Sequence, residues 1–368
     1  MMNLRSTVLA SAVFVGLGFT VAASAQTKEL NIYNWSDYIA EDTLANFTKA
    51  TGIKVTYDVF DSNEVLESKL LAGSTGYDLV FPTALPFAKR HVQAGMYAKV
   101  DKSKLPNLKN LDAGIMASLA SFDPQNAHLT PYLWGTTGIG YNVEKVTKIL
   151  GDDMPRDTWR LLFDPEIVAK LGSCGVSIMD DPTEVFAAVK AYLGKDNADF
   201  SSDTVNLMAE TIAKVRPNIR YFHNSSYIND LANGDLCVAH GYSGDMLQAR
   251  DRANEANNGN TIAYAVPREG AVVWTDVMAI PADAKNVVEA LTFINYILEP
   301  KVIADISNYV AYANPNSAAD TLVDDSIKSD PGIYPPAETR AKLLVLEVPQ
   351  GGQVRTLNRA WTRVKSGK

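Results

Sequence analysis

Between Glu41 and Pro82 the chain switches repeatedly between a helical and a strand-like apolar period, and this alternation directs it toward an α/β architecture. Leu44 and Phe47 share one face of a helix over Glu41–Ala50, and Gly52 stands where a left-handed C-terminal cap belongs. Ile53, Val55, Tyr57 and Val59 then alternate with Lys54, Thr56 and Asp58, the period of a strand. Asp61 and Glu64 have the spacing of a capping box ahead of Val65, Leu66 and Leu70. Tyr77-Asp78-Leu79-Val80-Phe81-Pro82 reads as a buried strand ended by its proline. Strands joined through helices form a largely parallel sheet, and ligands of such sheets collect beyond the carboxyl ends of the strands.

Those ends carry a recurrent chemistry. Ile32-Tyr33-Asn34-Trp35-Ser36-Asp37-Tyr38 passes from an apolar run to an indole, a hydroxyl, a carboxylate and a phenol, and Thr83 lies just past the next strand. Aromatic residues at strand ends commonly serve packing, but an aromatic face beside a carboxylate also suits a cation. The pattern returns downstream, where Ser173–Met179 runs into Asp181 and Glu184, and Leu236–Gly241 runs into Tyr242 and Asp245. Trp274-Thr275-Asp276 repeats it again, and Tyr309–Pro315 forms a turn carrying Tyr312. Pro131–Asn142, with Gly135, Gly138 and Gly140, reads as the crossing into a second domain, and Val266–Val273 as the return. Its glycines imply a flexible or a closely packed backbone, and their spacing fits neither a phosphate loop nor a dinucleotide fingerprint. Val287–Leu298 forms an amphipathic helix stopped by Pro300, and the helical C-terminal segment is broken at Pro335-Pro336.

The N-terminus is an address. A basic start at Met1–Arg5, an apolar run from Val8 to Ala23 and the small-x-small pattern Ala23-Ser24-Ala25 read as a signal peptide cleaved after Ala25. The product is exported, and the net charge of −8 for the whole chain, which becomes −9 once Arg5 is removed with the signal, argues against nucleic acid and suits a cationic partner. In an oxidising compartment Cys174 and Cys237 are a disulfide candidate, with two buried thiols as the alternative.

Catalytic constellations are poor. His91, His128, His223 and His240 lack metal-ligand spacing, no nucleophile elbow occurs, and no metal or cofactor is called for. Asp37, Asp245 and Asp276 are conceivable as a glycosidase pair, but they recur beside aromatic residues, which suits a bound cation. A diamine is an alkyl chain with a protonated amine at each end. It needs carboxylates at both ends and aromatic walls along its methylenes, because an unpaired buried ammonium costs several kcal/mol.

With these residues in view, the sequence resembles the periplasmic polyamine-binding proteins of bacterial ABC importers, most closely the putrescine-binding branch. The likeness rests on Asn34–Tyr38, Tyr57–Glu67, Pro217–His223, Tyr227–Asp235 and Arg359–Lys368, and it spans the mature chain. It implies an α/β, type II periplasmic binding protein that works as a hinged trap, each lobe a mainly parallel sheet with flanking helices. The first lobe would comprise residues 26–134 and about 267–316, the second about 135–266, with the helical segment 317–368 packing across both. The implied ligand residues are Trp35, Ser36, Asp37, Tyr38, Thr83, Asp181, Glu184, Tyr242, Asp245, Trp274, Asp276 and Tyr312. Asp245 and Asp276 would hold ammonium groups near one end. Glu184 and Asp37, with the Ser36 and Thr83 hydroxyls, would serve the other amine or its waters.

Several positions depart from the putrescine pattern. Tyr242 stands where that branch commonly has Trp, Trp274 where it has Phe, Thr83 for Ser, Leu85 for a small polar residue and Asp181 for Ala. Asp181 resembles the spermidine-preferring arrangement, so the expected ligand is putrescine or spermidine. The expected partner is a membrane permease, and the expected state a monomer in the periplasm. A polyamine sensor would need the same cleft. A receptor for an anion or a sugar would place basic residues there, and a secreted glycosidase would show turnover.

Overall fold

The computed structural model describes residues 28–347 and 349–367, so the expected signal peptide lies outside the described residues. The strands are β1 (Glu29–Trp35), β2 (Lys54–Phe60), β3 (Leu79–Val80), β4 (Leu129–Asn142), β5 (Val176–Ile178), β6 (Tyr221–Phe222), β7 (Val238–Tyr242), β8 (Ile262–Ala265), β9 (Ala271–Ala279) and β10 (Leu343–Leu344). They form one open, mixed sheet in the order β2-β1-β3-β9-β4-β7-β5-β6, with β10 beside β9 and β8 beside β4. β1, β2 and β3 run parallel, as do β5, β6 and β7, while the antiparallel pairings gather on β4 and β9. The α/β reading therefore holds, with β4 and β9 as the long exceptions.

Two apolar cores flank that seam. One gathers Leu30, Ile32, Phe47, Leu79, Val80, Phe293 and Ile294, and the other Ile139, Trp159, Phe163, Val176, Phe186 and Val238. β4 serves both: Leu129–Thr137 pairs with β9, and Thr137–Tyr141 pairs with β7. The glycine-rich stretch is thus a continuous strand, and close packing is the correct alternative for its glycines. A Cβ on Gly138 would lie 2.5 Å from the Ala265 carbonyl oxygen, a backbone atom that cannot rotate away. From the C-terminal segment, Ala319, Val323, Ile327 and Leu346 join the first core, while Leu357, Ala360, Trp361 and Val364 join the second.

Local expectations fare unevenly. The first helix spans Thr43–Thr51 and ends at Gly52, whose φ of 73° is the left-handed conformation a cap needs. The capping-box assignment was off by one residue. Ser62, not Asp61, caps the helix Asn63–Ala72 by accepting a hydrogen bond from the Val65 amide, because Asp61 instead accepts one from Ser36. The buried strand around Leu79 shrinks to β3. Pro300 does not merely stop the helix Val287–Ile297; it opens the next one, Pro300–Val310, where its missing N–H is no loss. Cys174 and Cys237, just ahead of β5 and β7, are joined in a disulfide. No helix among the described residues is long and apolar enough to cross a membrane.

Gly138→Ala should lower stability by about 1–3 kcal/mol, the usual range for forcing a methyl into a filled interior. The shift in the urea-unfolding midpoint measures it, and an unchanged midpoint would show that β4 and β8 have room to separate.

Candidate functional site

The carboxyl ends of the parallel strands from both cores point at one place. β1 delivers Trp35, Ser36 and Tyr38, β2 delivers Phe60 and Asp61, and the chain after β3 delivers Thr83. From the other side come Asn224 and Ser225 after β6, Glu184 after β5, and Tyr242 and Asp245 at the end of β7. β9 supplies Trp274 and Asp276 as it passes between the cores, and Tyr312 follows the helix Pro300–Val310. Together these residues line a cavity of about 460 Å³, its open mouth included.

Its aromatic side chains hold one another edge to face. Trp274 lies 5.3 Å from Tyr312 and 5.7 Å from Tyr242 between ring centroids, and Tyr38 lies 5.1 Å from Tyr312 at 82°. Polar handles anchor them from behind: Trp35 Nε1 donates to the Phe81 carbonyl at 2.8 Å, and Trp274 Nε1 donates to Thr137 Oγ1 at 3.2 Å. Small residues make the box possible. A Cβ on Gly135 would lie 2.9 Å from the Trp274 indole, and one on Gly244 would overlap the Tyr312 ring.

The acids are set with equal care. Asp276 accepts a 2.7 Å hydrogen bond from Thr83 Oγ1, and Thr83 is itself clasped by both polar atoms of the Asn63 amide. Asp245 stands in the first turn of the helix Ser243–Ala256, where the helix dipole favours an anion, and accepts from Tyr227 at 2.7 Å and Tyr312 at 2.9 Å. Glu184 occupies the first turn of the helix Pro182–Leu193, and its Oε2 has no hydrogen-bond partner among the described residues. Among the described residues the lining contains no Lys, Arg or His. Burial without a cation pushes the carboxyls of Asp245 and Asp276 up to about 7, although their hydroxyl donors pull the other way. Glu184 is raised too, by burial and by the nearby Glu64 and Asp276.

Asp37, Asp181 and Leu85 do not line the cavity. Asp37 takes a left-handed turn (φ 52°) that sends its carboxylate outward to Arg252 Nη2 at 2.9 Å, so direct contact with a ligand amine does not follow from this geometry. Asp181 sits behind Glu184, where its Oδ1 caps the helix through the Thr183 and Glu184 amides. Phe60, Asp61, Asn224, Ser225 and the supporting Tyr227 escaped sequence reasoning. The strand-end rule that found Thr83 applies equally after Phe60 and Phe222, but β6 is too short to announce itself. Nothing local marks Tyr227, since its partner Asp245 is remote in sequence. No cluster of His, Cys, Asp or Glu among the described residues is arranged to hold a metal ion.

Two cores joined by crossing strands around a cleft define a bacterial solute-binding protein. Residues 42–335 match the family described as bacterial extracellular solute-binding protein, and the chain belongs to that family, among its polyamine-binding members. It is 57% identical over 348 residues to the putrescine-binding periplasmic protein PotF of Escherichia coli K12, covering 94% of this chain and 93% of that protein. Identity to the putrescine-binding periplasmic protein SpuD of Pseudomonas aeruginosa is 50%, covering 95% of both. A putative spermidine/putrescine ABC transporter structure from Listeria monocytogenes superposes with a TM-score of 0.81 at 32% identity, covering 93% of this chain and 100% of that one.

The raised carboxyls carry a conformational consequence. Were the cleft to open and return Asp245 and Asp276 to water, their carboxyls would fall to the ordinary range near 4. Empty closure would then take up protons, be favoured below that range, and lose this support as pH rises through about 7. The radius of gyration of the ligand-free protein should be larger at pH 8 than at pH 5 by small-angle scattering. Equal radii would show that these acids do not resist closure.

Proposed function

We propose that the chain captures a protonated polyamine, putrescine ahead of spermidine, between its lobes and presents it to the permease of an ABC importer without altering it chemically. The observation that carries this reading is the pair of acids Asp245 and Asp276, set in an aromatic box whose described lining offers no cation. An ammonium ion beside each restores the charge that burial suppresses, and the rings cover the methylenes between them. Glu184, which faces Asp276, would share the ammonium at that end with the Ser36 and Thr83 hydroxyls. Putrescine is favoured because Tyr242, Trp274 and Tyr312 crowd one another inside the cavity and because PotF and SpuD are putrescine-binding by name.

The remaining parts of the reading follow. Cleavage after Ala25 would release a periplasmic monomer, with no role for nucleic acid. The lobes would comprise residues 26–134 with about 267–316, and about 135–266, while 317–368 ties both together through its contacts with the two cores. Asp181 would influence ligand choice through Glu184 rather than by contact.

Calorimetric titration of the mature protein with putrescine, spermidine, cadaverine and spermine should give the strongest binding with putrescine. No heat and no thermal stabilisation with any of them would sink the reading. Asp245→Asn and Asp276→Asn should each weaken putrescine binding by ~2–5 kcal/mol, the range for removing one partner of a desolvated charge pair. Unaltered affinity in both would move the ammonium sites elsewhere.

A further inference from the structure

Glu64 is an acid that polyamine capture, as proposed above, leaves without a role. It stands in the first turn of the helix Asn63–Ala72, on the first core. Its Oε1 nevertheless accepts a 3.0 Å hydrogen bond from Thr183 Oγ1, at the start of the helix Pro182–Leu193 on the second core. A bond between lobes of a hinged trap exists only while the trap is shut. In that state Glu64 Oε2 is buried with no hydrogen-bond partner among the described residues, and so is Oε2 of Glu184. Asp181 completes the cluster, its Oδ1 committed to the Thr183 and Glu184 amides.

The surroundings offer no compensating charge. Glu67 lies on the same helix as Glu64, Asp180 adjoins Asp181, and Asp276 faces Glu184. The other titratable groups in reach of Glu184 are the phenols of Tyr227, Tyr242 and Tyr264, all held neutral by burial. Cations on neighbouring elements are engaged elsewhere: Arg90 and His91 with Glu67, and Lys365 with Asp180. Asp181 stands at a helix N-terminus, whose dipole and the Thr183 and Glu184 amides favour its anion, and Glu184 faces the cavity where an ammonium would lie. Glu64 is the member of the cluster free to be neutral.

We propose that Glu64 enters the closed, ligand-bound state as a carboxylic acid, so that capture takes up a proton from solvent at this residue. This deepens the polyamine-capture reading and rests on it. The balance is simple: the carboxylate of the open protein gains one proton, Oε1 remains the acceptor for Thr183, and Oε2 becomes the hydroxyl end. A carboxylate oxygen without a donor is costly in a dry site beside two like charges, whereas the neutral form avoids that repulsion. In line with this, burial first and the Asp181 charge second push the Glu64 carboxyl up to about 8. In the open cleft it is an ordinary surface glutamate near 4.3. The sign follows: proton uptake supports capture most strongly at acid pH, and that support declines as pH rises toward about 8. Asp245 and Asp276 behave differently on binding, because an ammonium beside each keeps it ionised.

The test is calorimetric titration of the full mature protein with putrescine from pH 6.5 to 8, in buffers of different ionisation enthalpy. The ligand stays doubly protonated across that range. The unaltered protein should take up close to one proton more per ligand at pH 6.5, and about half a proton more at pH 8, than Glu64→Gln, which keeps an acceptor for Thr183 but cannot titrate. Its Kd should rise roughly tenfold over the range, against less than about twofold for Glu64→Gln. Thermal melting checks that the variant folds. Thr183→Val supplies a second arm: it removes the cross-lobe donor, should weaken binding, and should leave proton uptake in place. Equal proton counts and equal pH slopes in the unaltered protein and Glu64→Gln would overturn the proposal while leaving capture intact. Uptake that survives in Glu64→Gln but disappears in Thr183→Val would place the proton elsewhere and overturn it too. Absence of any heat with the unaltered protein would overturn the capture reading and this inference together.

Discussion

Negative charge held in an enclosed, aromatic space is the constraint around which this molecule is arranged. Asp245 and Asp276 are almost fully enclosed, and the side chains that reach them are hydroxyl donors rather than cations. Such donors orient a carboxylate and offset part of its desolvation, but they do not neutralise it. An empty closed cleft is therefore electrostatically unsatisfied, whereas a cleft closed on a dication is not. On the proposed reading, affinity, selectivity against neutral solutes and a preference for an open empty state would all follow from that one imbalance. The aromatic rings add to it by excluding water and facing a cation with their negative quadrupole.

The architecture makes the imbalance possible by splitting the acids between the two cores. Glu184 and Asp245 stand at the first turns of helices on the second core, while Thr83 and Asn63 on the first core hold Asp276, carried on β9. β4 and β9 connect the two cores; Gly135 on β4 leaves space for Trp274 on β9, while Gly244, on the helix Ser243–Ala256, leaves space for Tyr312. On the proposed hinged-trap reading, rotation of one core against the other would open the cavity, separate the acids and break the contacts of Asp37 with Arg252 and of Glu64 with Thr183 in the same movement.

Much of this was legible in the chain. Helix and strand periods around Phe47 and Val55 disclosed the α/β class, strand-end position suggested Trp35 and Thr83 as one site, and the family resemblance added Glu184, Asp245 and Asp276 to it. What failed was local and had local causes. The Asp61–Glu64 spacing imitates a capping box, but Ser62 is the better-placed oxygen because Asp61 is turned toward Ser36. Asp37 sits beside Trp35 and Tyr38 in sequence, yet one left-handed residue turns its carboxylate out of the cavity toward Arg252. Short β6 gave no periodic signal, so Asn224 and Ser225 stayed hidden.

By itself the sequence determined the fold class, an N-terminus that reads as an export signal and the types of side chain available at the strand ends, because periodicity and composition are properties of neighbours along the chain. Only the tertiary structure decided which acids face the cavity, which are compensated, and which meet across the cleft. Asp181 and Glu184 differ little as letters in a strand-end motif, but one caps a helix and the other faces the ligand space. Glu64 gains its significance from Thr183, a residue 119 positions away. The physical reason is that burial and Coulomb interaction depend on distance in space, which the order of residues does not encode.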